Sequence, residues 1–210
     1  MLTKTTKSLF KGIYQYKIVL VCSVATAFRS GDMSSALEQL KKTTIVQQSS
    51  GWTVHQIPPK TQEQLDYAFK LQHQINKLKN IEVRVEIPYI SIYTNSKSDI
   101  DQLIKIDKDK VKYISVPVSG SALVKDTVIM PKIPYEFRIT LGKTVQNHSA
   151  FVEWAENTSK LKLTKSCKRD LLKDRSWGGT YFYLTGNNVL LMAKMHLGGS
   201  INKIERVVKA

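Results

Sequence analysis

At 210 residues, 42% of them hydrophobic and with a mean hydropathy of -0.23, the chain can bury a full core as one large domain or two small ones. No apolar run approaches the roughly 18 residues that cross a bilayer, so no membrane partner is expected. Two widely separated cysteines exclude a disulfide framework and point to reduced thiols and a cytoplasmic protein. The 32 Lys and Arg against 17 Asp and Glu leave a net charge of +15, a surplus that calls for a polyanion, because neutralised phosphates release counterions and drive association.

In chain order, residues 1–12 carry Lys4, Lys7 and Lys11 and read as a basic N-terminal arm. The run YQYKIVLVCSV that follows has the length and β-branched content of a buried strand. It imitates a signal peptide only faintly, and cleavage there would remove that strand. SGDMSSALEQLKK, with a Ser/Asp start and Met33, Ala36, Leu37 and Leu40 at helical spacing, predicts a short helix. TTIVQQSSGWTVHQIPP reads as a loop or weak hairpin closed by two prolines.

A longer helix follows, with Leu65, Phe69, Leu71, Ile75 and Leu78 in one stripe. IEVRVEIPYISIYTN is extended, and Pro88 argues for an edge strand or a break into two. Next come a turn, a helix DIDQLIKI capped by Ser98 or Asp99, and the strand VKYISVPV. In YEFRITL, Tyr135, Phe137, Ile139 and Leu141 alternate with polar residues, the period of a half-buried strand. Helices are expected at HSAFVEWAEN and, with Thr164 as N-cap, at TKSCKRDLLKDR.

The last segment, YFYLTGNNVLLMAKMHLGGSINKIERVV, repeats the strand, turn, helix, turn and strand of ISIYTNSKSDIDQLIKIDKDKVKYISVPV. Laying Thr94 on Thr185 puts Ile100 on Val189, Leu103 on Met192 and Ile114 on Ile204; upstream, Tyr16 falls on Tyr135. The expected fold is α+β, two ferredoxin-like (βαββαβ-type) halves side by side, read either as an internal duplication or as coincidental patterning. The halves are placed at 13–119 and 135–210, joined by a linker at 120–134 that holds Gly120, Pro131 and Pro134.

The densest basic cluster is Lys160, Lys162, Lys165, Lys168, Arg169, Lys173 and Arg175. Lys165, Lys168 or Arg169, and Lys173 would recur on one helical face, with Leu171 and Leu172 inward; Asp170 and Asp174 keep a salt-bridged, solvated helix open as the alternative. Beyond it Trp177, Tyr181 and Tyr183, with Arg138 on a neighbouring strand, offer a base-stacking surface if the tyrosines face away from the core. No stretch matches the RNP1 pattern of a true RNA-recognition motif. The glycines of HLGGSINK fit a helix stop, or a backbone nest for phosphate.

The four histidines, His55, His73, His148 and His196, form no metal-ligand spacing, so neither metal nor cofactor is expected. The expectation is a non-catalytic protein that binds RNA or DNA through phosphate contacts, in a compact basic chain that suits a phage, viral or mobile-element product. Two alternatives stand beside it. One is a self-associating assembly or virion component with a basic genome- or subunit-facing surface. The other is a metal-independent endoribonuclease with His148 in the reaction. CRISPR repeat-processing enzymes use such a tandem fold, but their glycine-rich C-terminal loop has no counterpart in this sequence.

Overall fold

The computed structural model describes residues 2–30, 32–42, 46–50, 53–57, 61–118, 122–144 and 146–209. The chain divides into two compact units, Met1–Thr6 with Ile13–Ala122, and Lys7–Gly12 with Leu123–Ala210. Both mix helices with a five-stranded sheet. No helix among the described residues is long and apolar enough to cross a membrane.

In the first unit β1 (Leu2–Thr6) and β2 (Tyr16–Val21) precede α1 (Met33–Lys42) and a hairpin of β3 (Val46–Ser50) and β4 (Thr53–Ile57). Then come α2 (Gln62–Lys77), β5 (Glu82–Glu86), β6 (Tyr89–Thr94), α3 (Lys97–Ile106) and β7 (Val111–Pro117). The sheet runs β1-β7-β2-β6-β5, antiparallel except for the parallel β1–β7 edge. Its core packs Ile18, Leu20, Ile90 and Ile92 against Leu65, Leu71 and Ile75 of α2 and Ile100 and Leu103 of α3. Helix α2 starts at a capping box in which Thr61 and Gln64 satisfy each other's backbone N–H groups.

The second unit contains β8 (Thr127–Ile129), β9 (Phe137–Leu141), α4 (Ser149–Glu156), β10 (Leu161–Leu163), α5 (Lys165–Leu171), β11 (Tyr181–Leu184), α6 (Asn187–Leu197) and β12 (Ile201–Val208). Its sheet order is β10-β11-β9-β12-β8, again antiparallel except for a parallel outer edge, β12–β8. Ile139, Leu141, Phe182 and Leu184 meet Phe151, Cys167, Leu171, Ala193 and Leu197 in a core of its own.

The internal registers correspond. Ile18 lies opposite Ile92 and Ile114, and Ile139 lies opposite Phe182 and Ile204. This corrects the alignment read from the sequence. Tyr16 pairs with Thr94 as Phe137 pairs with Leu184, so Tyr16 answers to Phe137 and not to Tyr135, and Thr94 answers to Leu184 and not to Thr185. A two-residue slip keeps every side chain on the same sheet face, so alternation alone does not reveal it. The helices start after Ser96 and Gly186, which matches buried Leu103 with buried Ala193; Met192 is 40% exposed.

Four further expectations are revised. Residues 2–6 are not an arm but an edge strand, held to β7 by its backbone, with Lys4 Nζ 4.1 Å from the centroid of the Tyr113 ring. The expected linker contains β8, which completes the second sheet. Ser96 caps α3 by accepting from Asp99 N, in place of Ser98 or Asp99. Tyr135 precedes β9 and stacks on Tyr183, outside the alternation that begins at Phe137. Pro88 does break its segment in two, between β5 and β6.

Candidate nucleic-acid interface

The parity of β11 follows from its partners. Phe182 and Leu184 enter the core, which turns Tyr181 and Tyr183 to the face away from the helices, where Lys162 and Arg138 flank Tyr183 in the register. Tyr181 is 37% exposed and lies 5.7 Å from the Arg138 guanidinium. Tyr183 is buried, with Tyr135 stacked on it and its hydroxyl on Met130 Sδ, which leaves Tyr181 as the accessible ring of the pair. Arg138 donates through Nε to Glu205 Oε2 at 2.9 Å, and Lys203 donates to Glu205 Oε1 at 2.8 Å. Glu205 is wholly buried, so Arg138 is committed to neutralising it. Lys17 holds the matching place in the first unit, between the rings of Tyr93 and Tyr113 at 5.4 and 5.7 Å.

The basic cluster is less regular than a single helical row. Thr164 caps α5 as expected, accepting from Cys167 N at 3.2 Å, but the helix ends at Leu171. Lys173 and Arg175 therefore lie beyond it, and Leu172 is exposed while Leu171 is buried. Lys168 pairs with Glu156, and Lys173 pairs with Asp170 at 3.1 Å. Lys160, Lys162, Lys165, Arg169 and Arg175 are exposed and make no ion pair among the described residues.

Trp177 follows this stretch and is 85% exposed, a rare state for so large an apolar ring. Its presentation is built by the backbone. Ser176 and Thr144 exchange two hydrogen bonds, of 3.0 and 3.1 Å, and Gly178 then passes so close to Gly142 that a Cβ there would lie 2.3 Å from the Gly142 oxygen. With φ at +79° as well, Gly178→Ala is expected to lower stability by about 2–3 kcal/mol in chemical denaturation. Gly179→Ala, at φ +83° but with nothing within 4 Å, is expected to cost about 1 kcal/mol.

Lys143 emerges from the end of β9 with Nζ 5.2 Å from the centroid of the Trp177 ring. It also lines a cleft of about 500 Å³ with Gln146, His196 and the turn Gly198–Ser200. Sequence reasoning passed over Lys143 and Gln146, and read the turn that holds Ser200 as a helix stop or a phosphate nest without joining it to them. The signal was the coincidence of GKTVQN and HLGGSINK at the ends of elements that the sheet brings together.

His148, the histidine singled out for a nuclease, is buried at the start of α4 without capping it; its Nε2 lies 3.2 Å from Ser200 Oγ. Burial pushes the imidazole below its ordinary value. The folded state thus binds the proton less readily than the unfolded chain, and stability is complete above pH about 6.5 and declines as the pH falls below it. The denaturation midpoint is expected to drop between about pH 7.5 and 5.5, and His148→Gln is expected to flatten that dependence. Both cysteines are buried, and burial pushes the Cys167 thiol up to about 12. Compared with known families, curated proteins and solved structures, the chain matches none.

Proposed function

We propose that the protein binds nucleic acid without cleaving it, on two ferredoxin-like halves, with phosphates held by exposed cations of the second unit and bases by its exposed aromatic rings. The orders β7-β2-β6-β5 and β12-β9-β11-β10, each antiparallel throughout, support the ferredoxin-like reading, because each half follows the βαββαβ order once α1 and the β3–β4 hairpin are taken as additions to the first half and α5 as an addition to the second. Equivalent inner-sheet registers favour a duplication.

The observation that carries the functional reading is the distribution of charge. The second unit holds seventeen Lys and Arg against seven Asp and Glu, and the first fifteen against ten, so two thirds of the net charge belongs to the unit that exposes Trp177. A polyphosphate chain with unpaired bases satisfies both features at once. His148 does not favour the nuclease alternative, since its ring is buried and engaged with Ser200.

One observation favours the assembly alternative: α6 exposes Leu191 at 58% and Met195 at 71%, an apolar pair one turn apart. Purified protein titrated into labelled single-stranded and duplex RNA and DNA across a salt series separates these readings. Salt-dependent binding with intact strands is the expected result. Oligomers without binding would overturn it in favour of assembly, and cleavage without added metal in favour of the nuclease.

A further inference from the structure

We infer that the end of β9 receives one nucleotide of a single strand, its phosphate in the cleft at Lys143 beside the Gly198–Ser200 turn and its base on the Trp177 ring next to that cleft. This rests on the nucleic-acid reading above and adds a location and a strandedness to it.

The placement follows from how the strand end is pinned. Leu141 N donates to Thr180 O and Gly179 N to Leu141 O, each at 2.8 Å, which ties β9 to the turn that carries Trp177. Gly142 N donates to Ser200 O at 2.8 Å, which ties the same strand end to the turn after α6. Lys143 therefore stands between two fixed turns, its ammonium shared by an exposed indole and the cleft. Below, His148 holds Ser200 Oγ, and His196 is stacked on Trp154 with ring centroids 5.1 Å apart, so side chains as well as backbone fix this wall.

The lining chooses the ligand. A cleft of about 500 Å³ lies within the range that encloses small ligands. No Asp or Glu lines it among the described residues; Lys143 is its fixed charge, and Gln146, Ser200 and the glycine backbone add hydrogen-bonding groups. Among the described lining residues only Met195 and Leu197 are apolar, too little for a hydrophobic peptide anchor. An anion joined to a flat ring uses the cation, the polar groups and the indole together. The ring must be unpaired, because stacked duplex bases do not present a face to an indole, whereas single strands splay theirs out.

The test compares wild type, Trp177→Ala, Trp177→Phe and Lys143→Gln by fluorescence anisotropy, with labelled oligo-dT and oligo-U of about 12 nucleotides and a duplex of equal length at about 50 mM salt. Trp177→Ala is expected to weaken single-strand binding by about tenfold or more and to leave duplex binding unchanged, with Trp177→Phe restoring most of the loss. Lys143→Gln is expected to reduce the salt slope for single strands by about one. Wild-type affinity in both Trp177→Ala and Lys143→Gln would overturn the cleft while leaving the nucleic-acid reading intact. Equal losses on single strands and duplex would overturn the strandedness. A wild-type protein that binds no strand at all removes the reading and the cleft with it.

Discussion

Replacing Lys165, Arg169 and Arg175 together with glutamate is expected to weaken nucleic-acid binding by at least about 100-fold at low salt and to lower the salt slope by about three. These side chains are exposed and carry no ion pair among the described residues, so a phosphate meets them without first displacing a carboxylate. Lys168 and Lys173 differ. Glu156 and Asp170 already hold them, and Lys168→Glu with Lys173→Glu is expected to cost less affinity per charge removed. Anisotropy across a salt series measures both sets, and circular dichroism checks that the fold is intact, as it should be because exposed charges contribute little to stability. An unchanged slope in the triple variant would take this stretch out of the binding surface.

Arg138→Ala is expected to act on the fold. Its guanidinium and the Lys203 ammonium are bonded to a Glu205 carboxylate that has no exposed surface; removing the guanidinium leaves a buried charge half compensated, at a cost of about 3–5 kcal/mol. Pairing Arg138→Leu with Glu205→Leu is expected to recover most of that loss, because an apolar pair of similar size needs no compensation. Urea denaturation reads the stability, and the salt slope of the folded fraction is expected to stay at its wild-type value. A variant of ordinary stability with weakened binding would instead return Arg138 to the phosphate-contacting role that its sequence position suggested.

Both expectations show where side-chain type and side-chain use part company. Arg138 and Lys17 occupy the same place in corresponding sheets, yet β12 brings Glu205 to the first while β7 brings Ser115 to the second. The partner decides whether the cation is spent within the fold, and the partner comes from a strand more than sixty residues away in each case. In the same way Lys165 and Lys168 look alike along the chain. Only the packing of α4 against α5 places Glu156 on one of them.

Local pattern accounts for most of the elements. The stripe from Leu65 to Ile75 made α2, Thr164 capped α5, Pro88 split β5 from β6, and Gly198 ended α6 at a φ of +48°. The misses were segments without a pattern to read. Residues 3–6 are polar and Leu2 before them has no apolar residue to alternate with, and β8 and β10 are three residues each, too short for a period; all three exist because a neighbouring strand offers its backbone.

By itself, then, the sequence determined the cationic surplus, the helices, the central strands and their twofold recurrence, all of which depend on neighbours a few residues apart. Tertiary structure alone decided which face of β11 meets the core, which cations find carboxylates, and that Lys143, Trp177 and the Gly198–Ser200 turn share one strand end. Every position of β11, YFYL, is aromatic or apolar, so periodicity leaves its parity open. The other two outcomes depend on helix packing and on hydrogen-bond register between strands distant in sequence, which local patterns do not encode.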